Sequence, residues 1–296
     1  MSLYALLAFL AVLWALFFLR SYLNRTRWDP LSFKPKVDLG ITAGVKSIQG
    51  SRAHMEDMYQ AAINLDGDPR KAFFAVYDGH GGSRASEFTA QHLHTHILKH
   101  DFTEQPLSAL KKAFTQLDSE WLNIANHHGF DDGTTVISVL IVNGTLYVAN
   151  LGDSRAVLAS SGKMVEMSHD HKPHRDDEKQ RIEALGGRII HYGTWRVEGV
   201  LAVTRAIGDR RLKKYVTSVP EIKQRRLQEG DDFLILATDG VWDVISSQNA
   251  VDIVTSAKNV QDAATQLTDL AYRKGSMDNI TSLVIDLRYY RQLQPS

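Results

Sequence analysis

The sequence predicts an α+β fold with largely antiparallel sheets, and three observations carry that prediction. Short runs rich in β-branched and aromatic residues recur along the chain, each bounded by Gly, Asn or Asp. Two of these runs are separated only by Asn143-Gly144, a pair that suits the positive backbone angles of a two-residue hairpin. Helical stripes fall in blocks of their own instead of alternating with strands, which argues against a doubly wound parallel sheet.

In chain order, strands are predicted over 71–77, 135–142, 145–151, 156–159, 233–237 and 280–287. Leu110, Phe114, Leu117, Trp121 and Ala125 form one apolar stripe at helical spacing, and a helix over 178–185 ends on Gly186-Gly187. Residues 247–257 and 261–273 read as a final helical pair. No repeat and no Pro/Gly/Ser-rich stretch divides this body, so one domain is predicted over 41–290, preceded by a linker over 21–40 that contains Pro30 and Pro35.

Composition excludes several classes of function. The 296 residues are 44% apolar and 23% charged, ordinary for a folded protein. Basic and acidic side chains balance at 34 each, so the field that draws proteins to nucleic acid is missing and no nucleic-acid partner is expected. Cysteine is absent, which removes disulfides, thiolate zinc sites and any cysteine nucleophile.

Residues 3–19 carry no charge, and Arg20, Arg25 and Arg27 follow them. Such a helix spans roughly 26 Å, close to the hydrocarbon thickness of about 27 Å in the endoplasmic reticulum. There is no basic stretch before it and no small-residue cleavage site after it, which favours an uncleaved transmembrane anchor over 1–20 against a signal peptide. The arginines on its C-terminal side place the body in the cytosol by the positive-inside rule. The expectation is a single-pass protein, most simply of the endoplasmic reticulum.

The chemistry lies where strands end on aspartate beside glycine. The run 73–77 leads into Asp78-Gly79-His80-Gly81-Gly82, 148–151 into Gly152-Asp153, and 234–238 into Asp239-Gly240. Each alone reads as a turn. Repeated, and joined by the acidic sets Glu56-Asp57 and Asp278-Asn279, they suit a hard cation with oxygen ligands, such as Mg²⁺ or Mn²⁺.

Arg52-Ala53-His54-Met55-Glu56-Asp57, Asp78-Gly79-His80-Gly81-Gly82, Gly133-Thr134-Thr135, Gly152-Asp153-Ser154-Arg155, the run 201–209, Asp239-Gly240-Val241-Trp242-Asp243 and Asp278-Asn279-Ile280-Thr281 together resemble the ordered motif series of the type-2C, metal-dependent serine/threonine protein phosphatases. The resemblance implies a sandwich of two antiparallel β-sheets flanked by α-helices, with a binuclear Mg²⁺/Mn²⁺ centre at one end. It also implies phosphoprotein substrates and a role for each matching residue. By this resemblance Asp78 would bridge both ions and the Gly79 carbonyl would face one of them. Glu56 would serve the second ion, partly through water, and Asp239 and Asp278 would hold the first. Asp57 would join the metal set beside Glu56. Asp153 and Asp209 resemble the residues around a third, weaker site. Arg52 resembles the phosphate-binding arginine and His80 the general acid. The anchor makes the chain look like the family's reticulum-anchored branch.

Rival readings are a two-metal phosphoesterase for nucleotides or lipid phosphates, disfavoured by the whole motif series, and a catalytically silent membrane scaffold, which would have lost a metal carboxylate. His92, His96 and His100 have metal-ligand spacing on a predicted helix, but Ala90, Leu93 and Ile97 lie on its opposite face, so the histidines are expected in solvent. The run His169-Asp170-His171-Lys172-Pro173-His174 is read as loop structure, and Asp66-Gly67-Asp68 as a turn. The sequence carries no recognisable docking motif or oligomerisation signal.

Overall fold

A computed structural model describes residues 42–293; the anchor over 1–20 and the linker over 21–40 predicted above lie outside them. Strands β1 (Ala43–Ile48), β2 (Met58–Ile63) and β3 (Lys71–Tyr77) lead to the short β4 (Gly79–His80), then helices α1 (Arg84–Leu98) and α2 (Pro106–His128). Next come β5 (Gly133–Thr134), β6 (Val136–Val142), β7 (Thr145–Leu151), β8 (Arg155–Ser160) and β9 (Lys163–Glu166), then α3 (Asp176–Ala184). The hairpin β10 (Ile189–Tyr192) and β11 (Thr194–Val197) precedes β12 (Ile207–Gly208), β13 (Glu221–Arg226) and β14 (Asp231–Ala237). The chain closes with α4 (Asp239–Trp242), α5 (Ser247–Ser256), α6 (Val260–Arg273), β15 (Ile280–Asp286) and α7 (Leu287–Gln292).

Two five-stranded antiparallel sheets, ordered β1-β15-β14-β8-β9 and β13-β7-β6-β3-β2, pack face to face. Their inner faces share one core, in which Phe74, Val76 and Val139 meet Leu158, Leu236 and Leu283. On the outer face of one sheet, Phe73 and Tyr77 pack against Leu93, Phe114 and Trp121 of α1 and α2. On the outer face of the other, Ile235 and Val284 pack against Val251 and Leu267 of α5 and α6. Both faces of β3 are therefore covered, which is why its sequence is a continuous apolar run and not an alternation. The result is a four-layer helix–sheet–sheet–helix sandwich.

Local sequence sets the element ends. Asn143 and Gly144 take φ of 50° and 74° and turn β6 into β7. Gly129, at φ 78°, stops α2 and donates its N–H to the Ala125 carbonyl at 2.8 Å. Ser246 and Asn259 cap α5 and α6 through their side-chain oxygens. The strand predicted over 280–287 ends at Asp286, because that carboxylate accepts the N–H of Arg288 at 3.0 Å and opens α7. Among the described residues no helix is long and apolar enough to cross a membrane.

The expectation for the α1 histidines is corrected. His96 is 3% exposed, with Nε2 3.1 Å from Glu120 of α2, and burial holds its pKa below the usual histidine value. His92 stacks on Phe88, and His100 reaches Gln116 at 3.0 Å. His96 and His100 serve the α1–α2 seam, a face that the apolar stripe of α1 alone did not reveal.

Candidate active site

Antiparallel pairing of β6 with both β3 and β7 brings the C-terminal ends of β3 and β7 to one end of the sandwich. The pairing of β14 with β15 sets Asp239, just past one strand, beside Asp278, just before the other. A cleft of about 280 Å³ opens at that end, lined among others by Arg52, Glu56, Asp78, His80, Asp239 and Asp278. Asp153 and Gly79 also face it.

Asp78 is fixed through its own backbone, whose carbonyl accepts the Thr135 N–H at 2.9 Å and the Thr134 hydroxyl at 3.1 Å. The acidic loops touch each other backbone to backbone. A Cβ on Gly240 would lie 2.0 Å from the Asn279 carbonyl oxygen, and one on Gly50 would lie 2.1 Å from that of Asp278. Asn279 stitches the same region, its Oδ1 accepting the Glu56 N–H at 2.8 Å and its Nδ2 donating to the carbonyls of Gln49 and His54. Gly79 has no room for a side chain, since a Cβ there would meet the Glu56 carbonyl oxygen at 2.5 Å.

Asp78, Asp153 and Asp239 each offer a carboxylate oxygen within 4.8 Å of the other two. Burial first, then the neighbouring aspartates, pushes the pKa of both Asp78 and Asp239 upward, with Lys172 opposing the shift at Asp239. Carboxylates crowded in this way are relieved by a cation, and an all-oxygen donor set suits Mg²⁺ or Mn²⁺. The residues present thus fit such ions.

The other predicted residues are placed more unevenly. The guanidinium of Arg52, 55% exposed, donates from Nη2 to Asp278 Oδ2 at 2.5 Å. His80, on β4, has Nε2 at 2.9 and 3.0 Å from the two oxygens of Asp209. Burial opposes the charged imidazole, but the Asp209 carboxylate prevails and raises its pKa. Asp209 thereby serves the histidine and is not among the residues lining the cleft. Asp57 is likewise turned inward: it is 3% exposed, and its Oδ2 accepts the hydroxyls of Thr281 at 2.7 Å and Thr238 at 3.1 Å. It ties the ends of β14 and β15 together behind Glu56.

Three residues were not singled out by the sequence. Lys172 pairs with Asp153 and lies 3.9 Å from Asp239. Arg196 of β11 reaches the cleft wall. Asp243 stands near enough that its pKa is raised, by burial first and also by Asp153 and Asp278 against the pull of Lys172. The Asp-Gly-Val-Trp-Asp motif held a signal for Asp243, whereas the other two come from loops without periodicity.

Residues 41–280 match the family described as "Protein phosphatase 2C". The chain is 42% identical over 250 residues to a rice protein named probable protein phosphatase 2C 52, covering 84% of this chain and 51% of that one. It is 43% identical over 243 residues to an Arabidopsis thaliana protein named probable protein phosphatase 2C 59, covering 82% and 78%. The chain thus spans about half the length of the first relative and 65% of a second one from rice. Its fold is similar to a crystal structure titled serine-threonine phosphatase 2C from Toxoplasma gondii, with a TM-score of 0.72 at 25% identity over 82% of this chain and 94% of that one. A C. elegans structure titled as a sex determining protein aligns with a TM-score of 0.78 at 26% identity, covering 86% and 68%. The antiparallel sandwich, the ordered motifs and these likenesses lead to one conclusion: the chain belongs to the protein phosphatase 2C family.

Proposed function

We propose that this chain hydrolyses phosphoserine and phosphothreonine in proteins, using Mg²⁺ or Mn²⁺. The observation that carries the reading is the meeting of the Asp78–Asp153–Asp239 carboxylates with Arg52 and His80 in one cleft. Asp78, Asp239 and Asp278, with Glu56 and the Gly79 carbonyl, are the residues to hold two ions, and the inward-facing Asp57 supports them through Thr238 and Thr281. When bound, such ions lower the pKa of water and neutralise phosphate charge.

The side chains supply the remainder. The planar guanidinium of Arg52 has several N–H donors, so it can keep its contact with Asp278 and still offer a fork to phosphate oxygens. A serine or threonine alkoxide leaves poorly without a proton. Asp209 raises the pKa of His80 and so favours its protonated form, and because Nε2 is committed to that carboxylate, Nδ1–H is the donor for the departing oxygen. No covalent phosphoenzyme is required.

The same reading extends to the membrane. The uncharged stretch 3–19 followed by Arg20, Arg25 and Arg27 supports a single-pass anchor with the catalytic body in the cytosol, in the endoplasmic reticulum. The direct test of activity uses the full chain in mild detergent with a phosphothreonine peptide and a cyclic nucleotide, each with and without Mn²⁺. Turnover of the peptide alone, stopped by chelator, is expected; full peptide turnover after exhaustive chelation would overturn the two-ion reading.

A further inference from the structure

We propose that Lys172 is a tethered cation that holds Asp153 back from the ion-binding set, and so limits how many divalent ions the carboxylate cage takes up. The inference rests on the two-ion reading of the cleft. Its starting point is that one ammonium group contacts Asp153 and lies 3.9 Å from Asp239, both of which form the cage with Asp78.

Lys172 is fixed in that position by its neighbour. His171 is 0% exposed and is stitched to the strand end that carries Asp153. The His171 N–H donates to the Gly152 carbonyl at 2.9 Å, and the Gly152 N–H donates to His171 Nδ1 at 3.1 Å. The His171 carbonyl in turn accepts the Thr204 N–H at 3.0 Å. The Lys172 carbonyl accepts the Arg175 N–H at 3.0 Å, so the backbone of both residues is held and the root of the lysine side chain is kept beside Asp153. The Lys172 side chain is 28% exposed and that of Asp153 6%, so water screens the pair poorly.

Two consequences follow for an incoming ion. A carboxylate already neutralised by an ammonium group has less negative charge to offer a further cation. The ammonium also repels any divalent ion that approaches Asp153 or the near side of Asp239, whereas an ion held by Asp78, Asp278 and the far side of Asp239 feels it less. Lys172 therefore acts as a positioning residue: it separates a tight class of ions from a weak one without touching the phosphate.

The experiment titrates Mn²⁺ alone into the full chain in mild detergent and counts free Mn²⁺ by its electron paramagnetic resonance signal. Wild type is expected to bind two ions tightly and a third weakly. Lys172→Gln should tighten the weakest class by about tenfold or more, the scale on which a unit charge acts at such distances. Lys172→Arg, which keeps the charge, should restore the wild-type isotherm. The gain should vanish in the double variant Lys172→Gln with Asp153→Asn. Lys172→Met takes the place of Lys172→Gln if circular dichroism shows the latter unfolded. A folded neutral variant with an unchanged or weaker isotherm sinks the role of Lys172 while leaving the two-ion reading intact. A wild-type chain that takes up no Mn²⁺ sinks both.

Discussion

His80 and Asp209 meet across a glycine. His80 stands on β4 and Asp209 just past β12, the two neighbours of β5 in the small β12-β5-β4 sheet, and a Cβ on Gly133 between them would lie 2.3 Å from Asp209 Oδ2 and 2.6 Å from His80 Nε2. Their contact of 2.9 to 3.0 Å therefore exists because position 133 has no side chain. Nothing local in the sequence brings the two together, since they are separated by 129 residues.

The pair makes a prediction that depends on the leaving group. If His80 protonates the departing oxygen, its contribution should grow with the basicity of that oxygen. His80→Gln is expected to slow phosphopeptide hydrolysis by about 10²- to 10⁴-fold and p-nitrophenyl phosphate much less. Asp209→Asn should show the same pattern in weaker form. Equal losses on both substrates would assign His80 to positioning and not to proton transfer.

The crowded aspartates predict how stability and activity part company. Asp78 and Asp239 have pKa values raised above those of unfolded aspartate, so the folded state binds extra protons between the two values. Stability in chelator should therefore fall as pH rises from about 4. Mn²⁺ should restore the melting temperature at pH 8. Asp239→Asn should abolish turnover of both substrates yet raise the melting temperature in chelator, because one repelling charge is gone. A lower melting temperature in chelator would show that the repulsion is already relieved within the protein.

Glu178 predicts the opposite slope in acid. It is 1% exposed and accepts from Arg205 at 2.5 and 3.0 Å, Thr204 at 2.6 Å and Arg181 at 2.8 Å. Burial disfavours the carboxylate, but Arg205, Thr204 and Arg181 outweigh it and bring the pKa down to about 2. An unfolded glutamate titrates near 4.3, so this stabilisation is complete above that value and is lost as pH falls towards about 2. Glu178→Gln should cost about 3 kcal/mol at pH 7, the scale for breaking a buried ion pair. Urea denaturation should show the gap to wild type narrowing at pH 3.

Topology is tested in sealed microsomes. A cytosolic body should be digested by added protease and carry no glycan at Asn24, Asn143 or Asn279, each of which lies in an acceptor sequon. Protease protection, or a mobility shift reversed by deglycosylation, would invert the orientation.

What the sequence revealed depended on whether the cause was local. Strands β3, β6, β7 and β14 were legible because they are largely buried apolar runs, with Asn143-Gly144 marking the turn between β6 and β7. Strand β13, Glu-Ile-Lys-Gln-Arg-Arg, was not, because it is a sheet edge whose polar side chains hide any alternation. Asp78, Asp239 and Asp278 were legible from motif and strand end together. The inward turn of Asp57 was not, since it is decided by Thr238 and Thr281, both more than 180 residues away. Lys172 was dismissed with its histidine-rich run because only the tertiary fold sets that loop against Asp153.

The abutment of Gly240 on Asn279 and of Gly50 on Asp278 has a consequence for genetics. Both glycines are chemically inert, yet a methyl group at either would force apart the loops that carry the aspartates. In a saturation library, positions 50 and 240 should therefore score as null alleles alongside Asp78 and Asp239, while the encoded proteins still accumulate in cells. A loss-of-function variant at either glycine would be passed as harmless by abundance-based interpretation, when the damage is a displacement of the ligand-bearing loops within a folded protein. The two loops can also diverge in evolution only as a unit, since enlarging one without reshaping the other leaves no space for the chain.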